Sequence, residues 1–368
     1  MICIVAYYFG PKLGVGNFIE NLLPKLLEES SSNKLLICNQ NVLESLTLPE
    51  NKTYRIVNSK FLNNGAISAL FYMFFVLPFI LLRHKVKVLF LPCNPVVGFY
   101  INCKIISVIH DINEYEIKNK YGVLKTIFRK KIYIQRSLKL SHKVVVISNY
   151  VKNQIQRHLN IPQEVLRKII VIHNGVKVEQ TSTSEPANYE NFFLYVGRID
   201  PNSKNLVFMR DFFLKITSFP QFTNYKLLLV GGINSSSSGE AVKFLEETKR
   251  FPSVEYLGFV SDELLMVLYS NAKALILMSK HEGFGLPLME AYARGCNVIR
   301  HSENAAFNEI AGGLDFSVSD NCEINLPFAH TLYEFLLKEK DLKSHARKYS
   351  WGVTSKKYID EINSLIVS

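Results

Sequence analysis

The sequence of 368 residues lacks the cysteine patterns that mark a zinc site or a disulfide-stabilised protein. Its six cysteines are scattered, with no CxxC pair and no cluster with histidine, and this spacing argues against both kinds of cross-link. We therefore expect mostly buried free thiols in a reducing compartment. The opening residues, Met1–Tyr8 (MICIVAYY), lack a basic start before their apolar run, so they predict a first strand rather than a signal peptide.

The composition is not that of a disordered or fibrous protein. Hydrophobic residues make up 48% of the chain and charged residues 20%, close to the averages of globular proteins. The sequence shows no internal repeats. At roughly 100–200 residues per domain, a chain of this length is expected to form two domains, with three as the alternative.

Acidic residues are scarce in the first half of the chain. Residues 1–190 contain 24 lysines and arginines against 12 acidic residues, and the excess is concentrated in residues 51–150, with 16 against 3. Such a positive field indicates an anionic partner, either nucleic acid, anionic lipid or a phosphorylated substrate. A solvated basic surface without a partner is the alternative. No recognised nucleic-acid-binding motif accompanies the charge.

Two segments favour a membrane surface as that partner. Ala66–Leu82 is almost continuously apolar but shorter than the roughly 20 residues that span a bilayer, and Pro78 interrupts it. The length favours a buried core helix, with a shallow interfacial helix as the alternative. Basic and apolar residues interleave at helical spacing in Lys118–Lys143, a pattern that suits anionic headgroups.

Apolar, β-branched runs alternate with helical segments along the whole chain, which predicts two parallel sheets covered on both faces. The polar stretch Lys177–Asn191 is the expected break between two doubly wound α/β domains, and residues 231–239 (GGINSSSSG) are expected to form a flexible surface loop. Ligands of such sheets bind at the carboxyl ends of the strands, so we expect the site in the cleft between the domains. The predicted strands are Ile2–Tyr7, Lys34–Cys38, Lys87–Leu91, Ile105–Ile109, Val144–Ile147, Ile169–Ile172, Phe192–Val196, Leu227–Val230, Val254–Leu257, Ala274–Leu277 and Asn297–Ile299.

The most informative stretch is Ala274–Ile299 (ALILMSKHEGFGLPLMEAYARGCNVI). A strand is followed by a glycine-containing loop and then by a helix whose first turn holds Pro287. Glycines let the backbone approach a ligand, and the helix N-terminus offers free N–H groups and the positive end of the helix dipole. Glu282 and Glu290 flank this cradle, where carboxylates suit sugar and ribose hydroxyls better than phosphates. The alternative is that Glu290 only stabilises the N-terminal end of its own helix.

These residues resemble a known family signature. Glu282 and Glu290 within EGFGLPLMEA resemble the signature of the retaining glycosyltransferases of family 4, which have the GT-B fold. Further motifs follow in the order of that family, and the combination is specific although no single motif is. They are His110-Asp111, His173-Asn174-Gly175-Val176, Tyr195–Asp200 with Lys204-Asn205, Leu257–Val260 and Ser350-Trp351.

The resemblance implies an α/β chain with two doubly wound, Rossmann-like domains that face each other across a cleft. Residues 1–180 would form an acceptor-binding domain and residues 187–349 a domain that binds the nucleotide sugar. A C-terminal helix within residues 350–368 would cross back onto the first domain.

The resemblance also implies the site residues. Arg198 and Lys204 would neutralise the leaving nucleoside diphosphate, although an ordinary surface salt bridge is the alternative, above all for Lys204. Glu282 would contact hydroxyls of the donor sugar, and Glu290 those of the ribose. His110 would contact the transferred sugar, with a buried structural histidine as the alternative. The remaining donor contacts would come largely from the backbone. Gly14 and Gly16 follow the first strand and are expected just before a helix, where a plain tight turn is equally compatible. Gly258 and Val260 would lie near the base, and Gly283, Phe284, Gly285 and Leu286 would contact the sugar and phosphate.

The expected activity is transfer of a hexose, from GDP-mannose or a UDP-hexose, to a lipid-linked saccharide of the O-antigen or capsule type at the inner face of a membrane. We expect no cofactor and no metal, since no Asp-x-Asp motif occurs in the expected setting, and no covalent nucleophile. The alternatives are a non-catalytic nucleotide-sugar-binding subunit of a polysaccharide assembly complex and a nucleotide-sugar hydrolase or epimerase. The chain departs from its relatives where Met278 precedes Ser279 in place of the usual proline, and where His173 precedes Asn174-Gly175.

Overall fold

The chain divides into two compact units. Unit 1 comprises Met1–Gly175 and Trp351–Ser368, and unit 2 comprises Val176–Ser350. The division lies at the start of the expected break, most of which falls outside the described residues. The structure, a computed structural model, describes residues 1–9, 14–29, 32–50, 53–93, 96, 98, 103–116, 126–178, 189–233 and 238–367.

Unit 1 is built on a parallel sheet of seven strands in the order β3-β2-β1-β4-β5-β6-β7. The central strands carry apolar side chains toward both faces, and all five residues of β1 are buried, as expected for a sheet covered on both sides. The strands are β1 (Ile2–Ala6), β2 (Lys34–Cys38), β3 (Tyr54–Asn58), β4 (Val88–Leu91), β5 (Lys104–Ile109), β6 (Lys143–Val146) and β7 (Ile169–Val171). The helices are α1 (Gly14–Glu28), α2 (Gln40–Ser45), α3 (Lys60–Asn63), α4 (Ala66–Phe71) and α5 (Leu77–Arg83) joined by a π-helical turn (Tyr72–Val76), α6 (Gln135–Leu140) preceded by a second π-helical turn (Phe128–Ile134), α7 (Asn149–His158) and α8 (Gln163–Arg167).

The last helix of the chain belongs to unit 1. Helix α17 (Trp351–Val367) places Trp351 and Tyr358 against Phe18 of α1, with ring centroids 5.8 and 5.9 Å away. Glu361 forms an ion pair with Lys143 at the start of β6. The C-terminal segment therefore completes the core of the first unit rather than that of the second.

Unit 2 contains a parallel sheet of six strands in the order β10-β9-β8-β11-β12-β13. Its core holds Phe193, Tyr195, Phe212 and Phe213, all 1% exposed or less. The strands are β8 (Phe192–Val196), β9 (Lys226–Val230), β10 (Val254–Gly258), β11 (Ala274–Leu277), β12 (Asn297–His301) and β13 (Phe316–Val318). The helices are α9 (Pro201–Lys204), α10 (Leu206–Ile216), α11 (Ser238–Thr248), α12 (Asp262–Asn271), α13 (Leu286–Ala293), α14 (Ala305–Ile310), α15 (Leu326–Leu337) and α16 (Leu342–Arg347).

The eleven predicted strands are confirmed, with ends that differ by at most two residues. Strands β3 and β13, each of which lies at an edge of its sheet, are not predicted from the sequence. The expected loop at residues 231–239 is wrong at its end, because Gly239 lies within α11; residues 234–237 fall outside the described residues.

The favoured prediction of a buried core helix at residues 66–82 is wrong for one face of that segment. The segment is helical throughout α4, the π-helical turn and α5, and Met73 and Leu77 are fully buried. Phe75 and Phe79 on the other face are 63% and 64% exposed. Among the described residues, Ala66–Arg83 is also the one helix long and apolar enough to cross a membrane by length and composition.

The basic segment at residues 118–143 is partly described. Residues 117–125 fall outside the described residues, and the rest is helical through α6. Tyr133, Ile134 and Leu138 are buried, whereas Ile127 and Ile132 are exposed.

Candidate active site

The carboxyl edge of the unit 2 sheet is tied together by hydrogen bonds between successive loops. The amide of Gly231, after β9, donates to the carbonyl of Gly258 at 2.8 Å, and the amide of Ile199, after β8, donates to Gly232 at 2.9 Å. Gly231 has a φ of +136°, and a Cβ there would lie 2.0 Å from the carbonyl oxygen of Gly197. Only glycine fits this position, so the loops after β8, β9 and β10 form one rigid edge.

Arg198 lies in the loop after β8, and both its backbone and its side chain are held by neighbouring groups. The hydroxyl of Tyr195 donates to its carbonyl at 2.8 Å, and its guanidinium pairs with Asp200 at 3.2 Å. Asp200 is itself held, since its other oxygen caps α9 by accepting from the amide of Ser203. The buried Nε of Arg198 has no hydrogen-bond partner within the part of the chain that the structure describes.

Lys204, at the end of α9, contacts another predicted site residue. Its Nζ lies 2.5 Å from Oε1 of Glu282, and Ser279 donates to the same oxygen at 2.8 Å. Asn304 secures Ser279 by donating to its carbonyl at 2.8 Å. Lys204 therefore does form a salt bridge, which was the alternative interpretation. Its partner, however, is Glu282, the first carboxylate of the family signature.

The glycine loop between Glu282 and α13 is shaped by close packing. Gly285 has a φ of +114°, and a Cβ there would lie 2.6 Å from the ring of Phe307. Phe284 is buried, with its ring 6.1 Å from that of Tyr349, so only its backbone can serve a ligand. Helix α13 begins at Leu286 without a side-chain cap, which leaves the positive end of its dipole available to an anion.

Glu290 has a partner that the sequence analysis missed. It lies beyond the first turn of α13, so the alternative in which it stabilises its own helix N-terminus is wrong. The hydroxyl of Tyr269, on α12, donates to Oε2 of Glu290 at 3.0 Å. Burial raises the pKa of Glu290 above its ordinary value, and the bond from Tyr269 partly opposes this rise. Nothing in the local sequence around Tyr269 points to the site, because α12 and α13 are brought together by tertiary packing.

This contact leads to a pH prediction. Because Tyr269 stabilises the ionised form of Glu290, Tyr269→Phe is expected to raise the pKa of Glu290 further. If nucleotide binding requires the ionised carboxylate, the acid limb of affinity against pH then moves to higher pH. Calorimetric titration of nucleotide between pH 5 and 8 measures the shift, with Tyr189→Phe as the control, because the Tyr189 hydroxyl donates to Glu255, a carboxylate that is not among the predicted site residues. Superimposable profiles for Tyr269→Phe and wild type would contradict the assignment.

The residues expected near the base lie at the same edge of the sheet. Gly258 ends β10 with a φ of +70°, and Val260 follows, half-buried. Between them, Phe259 is 67% exposed, and its ring lies so close to Gly232 that a Cβ there would be 2.1 Å away. The exposed ring of Phe259 offers a flat apolar surface that suits the face of a nucleobase.

His110, Gly14 and Gly16 belong to unit 1. Nε2 of His110 lies 2.8 Å from the carbonyl of Pro92, and its ring packs edge-on against Phe18 at 4.7 Å. Burial lowers the pKa of His110, so the ring is neutral at pH 7. The two glycines lie inside the first turn of α1 rather than before it, a correction to their predicted place. The roles of these three residues toward a donor stay predictions.

Asp111, the neighbour of His110, is engaged within the protein. Arg129 pairs with Asp111 at 2.9 Å and with Glu114 at 3.2 Å. Burial is the largest influence on Glu114, and it raises the pKa of that carboxyl. These contacts hold the loop after β5 in place.

Two family models match consecutive parts of the chain: Glycosyltransferase Family 4 over residues 14–180 and Glycosyl transferases group 1 over residues 178–314. The chain belongs to glycosyltransferase family 4. It is 30% identical over 202 residues to the O-antigen chain mannosyltransferase RfbU of Salmonella typhimurium, covering 55% of this chain and 53% of that protein. It is 24% identical over 239 residues to O-antigen chain mannosyltransferase B of Escherichia coli, covering 62% and 60%. The chain thus spans little more than half the length of these curated relatives.

Solved structures share the fold along the whole chain. A glycosyltransferase from Rickettsia africae superposes with a TM-score of 0.67 at 18% identity, covering 99% of this chain and 98% of that one. Anabaena Alr3699/HepE, solved in complex with UDP and glucose, superposes with a TM-score of 0.70 at 14% identity, covering 99% of each. The predicted GT-B fold with two Rossmann-like domains is confirmed.

A metal site is not visible in the described ranges, where no group of three histidine, cysteine or acidic side chains could hold an ion. Metal independence stays a prediction.

Proposed function

We propose that the chain is a retaining hexosyltransferase that uses a nucleotide diphosphate sugar. One observation carries this proposal: two cations, an uncapped helix N-terminus and two carboxylates lie along one edge of the unit 2 sheet. The cations and the helix suit the diphosphate, and the carboxylates suit the hydroxyls of sugar and ribose. The names of the two O-antigen mannosyltransferases support mannose as the hexose, so GDP-mannose is the favoured donor and a UDP-hexose is the alternative.

The diphosphate is where negative charge grows as the bond between the sugar and the phosphate breaks. Arg198 and Lys204 would stabilise that charge, and preorganised charges of this kind give the largest single contribution in many enzymes. The Arg198 guanidinium is already oriented by Asp200, so it needs no rearrangement to act. The departing phosphate would take the proton of the acceptor hydroxyl while the new bond forms on the same face of the sugar, which retains the anomeric configuration without a covalent enzyme intermediate.

The pair between Lys204 and Glu282 would change partners when the donor binds. Lys204 would turn to the phosphate, while Glu282 would accept from a sugar hydroxyl and keep its bond from Ser279. A hydrogen bond to a charged group is stronger than a neutral one, so a sugar lacking that hydroxyl would leave Glu282 short of a donor. This exchange would link recognition of the sugar to stabilisation of the leaving group.

The acceptor in this proposal is a lipid-linked saccharide of surface polysaccharide biosynthesis, of the O-antigen or capsule type. The basic first half of the chain supports it, because a lipid diphosphate is anionic and lies at an anionic surface. We accordingly propose a peripheral position at the inner face of the membrane and no role in binding nucleic acid.

Thermal stabilisation by nucleotides tests the donor site. UDP, GDP, dTDP and their common sugar conjugates are added at saturating concentration to the purified chain, because a ligand that binds only the folded state raises Tm. One nucleotide is expected to raise the Tm of the wild type and of Glu282→Ala, and to raise that of Arg198→Ala much less, because its affinity is weakened. Glu282→Ala should no longer discriminate among sugars. If no nucleotide shifts Tm, the donor site is not where the proposal puts it.

A further inference from the structure

One face of the helix from α4 to α5 carries large apolar side chains that are exposed among the described residues of unit 1. Ile67, Phe71, Phe75 and Phe79 are 86%, 50%, 63% and 64% exposed. They recur every four residues, so they lie along one side of the helix. Together with Phe61, Phe74 and Leu82, which are also exposed, they form a surface that we call the aromatic ridge.

The π-helical turn keeps the ridge straight. In an α-helix of 3.6 residues per turn, side chains four residues apart are not exactly in line, and each is rotated further around the helix axis than the one before. The wider π turn at Tyr72–Val76 drifts in the opposite sense and returns Phe75 to the line of Ile67 and Phe71. The rings are continuous as a result, with centroids 5.0 Å apart for Phe71 and Phe75 and 6.2 Å apart for Phe61 and Phe71.

The opposite face of the same helix is fixed in the protein. Tyr72, Met73, Leu77 and Leu81 are buried in the core beneath β1 and β4. A helix held in this way cannot be surrounded by lipid, so it does not cross a bilayer despite its apolar composition. Only its exposed half can meet an apolar environment, which is the arrangement of a helix that lies flat in a membrane interface.

The charge of the residues around the aromatic ridge indicates which apolar environment the ridge meets. Residues 51–110 contain no aspartate or glutamate but seven lysines and arginines. Lys60, Arg83, Lys85 and Lys87 are exposed near the two ends of the helical segment. Apolar side chains flanked by basic residues, in a segment of the sequence without acidic residues, complement an anionic bilayer, where each basic residue near the surface adds attraction.

We propose that the aromatic ridge inserts into the headgroup region of an anionic lipid bilayer and anchors the protein there. The membrane contact itself does not depend on the proposed function. Only its purpose rests on that function, because the enzyme would meet a lipid-linked acceptor at the membrane surface. The phenyl rings supply the apolar contact, and the flanking basic residues supply the preference for anionic lipid. Salt should therefore weaken binding to vesicles without abolishing it.

Vesicle binding by matched variants tests the ridge. Phe75→Gln/Phe79→Gln replaces two exposed rings with good helix formers, and Leu326→Gln/Leu337→Gln is the control, because these leucines of unit 2 are 55% and 54% exposed. With vesicles of phosphatidylglycerol and phosphatidylcholine, the ridge variant is expected to lose roughly 10- to 100-fold in partitioning, and the control less than threefold. Equal partitioning of ridge variant and wild type would overturn the proposal.

A fluorescent variant gives a second readout that does not depend on loss of binding. The chain has one tryptophan, Trp351, which is 6% exposed, so Phe75→Trp adds a reporter on the ridge. Its emission should shift to the blue and be quenched by brominated lipid when anionic vesicles are added. The proposal is wrong if the emission of vesicle-bound protein does not shift. It is also wrong if vesicles have no effect and the protein self-associates in a way that the ridge variant abolishes. Either result would show that the ridge serves a protein contact instead.

Donor binding separates this proposal from the proposed function. The ridge variant should show the same nucleotide-dependent rise in Tm as the wild type, because the ridge lies in unit 1 and the predicted diphosphate site in unit 2. Loss of vesicle binding with intact nucleotide stabilisation supports the ridge whatever the acceptor is. Vesicle binding by a chain that no nucleotide stabilises would refute the donor site and leave the ridge standing.

Discussion

Arg198→Ala is expected to lower kcat about 100- to 1,000-fold, the usual cost of removing one preorganised charge-stabilising group. Its guanidinium follows β8, is oriented by Asp200 at 3.2 Å and keeps its buried Nε without a partner within the described residues. The prediction is that this guanidinium serves a ligand rather than the fold alone. Initial rates at saturating donor measure the effect, and Tm shows whether the variant is folded.

Two further variants make the Arg198 result specific. Arg198→Lys keeps the charge but loses the planar fork, so an intermediate loss in kcat is expected. Arg210→Ala removes another arginine of unit 2, which pairs with Asp211 and Glu247 on α10 and α11, and should leave kcat near that of the wild type. A value of kcat for Arg198→Ala within threefold of wild type would show that its pair with Asp200 is merely structural.

The second large effect is expected at the pair of Lys204 and Glu282. Lys204→Met and Glu282→Gln should each lower kcat/KM about 100-fold, because each would lose its contact with the donor. The double variant should be at least as inactive as the worse single variant. Its Tm should nevertheless recover in part, since a lone half-buried charge costs more than a missing pair.

The double variant decides between the two interpretations of this contact. If the pair were an ordinary salt bridge, removing both charges would restore activity together with Tm. The matched control is Lys249→Met/Glu246→Gln, which removes an exposed pair of 2.6 Å near the end of α11 and should change neither quantity measurably. Recovery of kcat/KM in Lys204→Met/Glu282→Gln would remove both residues from the donor site.

Much of the fold could be predicted because the central strands are uniformly apolar. A run such as Phe192–Val196 can only be buried on both faces. The missed strands lack this signal: β3 (YRIVN) has three exposed residues and β13 (FSV) has only three residues in all. Edge strands face solvent on one side, so their composition does not distinguish them from loops.

The site was predictable where it is local and not where it is tertiary. Gly285 and Pro287 mark the loop and the start of the helix, because glycine tolerates a positive φ and proline is favoured in the first turn of a helix. Tyr269 and Asn304 reach Glu290 and Ser279 from separate elements, and no spacing reveals that. The helix at residues 66–83 shows the same limit, since apolar composition predicts burial but cannot say which face a core will cover.

The most direct test of the central claim is sugar transfer with labelled donor and a lipid-linked saccharide acceptor, followed by determination of the anomeric configuration of the product by NMR. The expectation is that label enters the lipid fraction only when both substrates are present, and that the new linkage has the same anomeric configuration as the donor. Release of free sugar at the same rate without acceptor, or a product of inverted configuration, would contradict it.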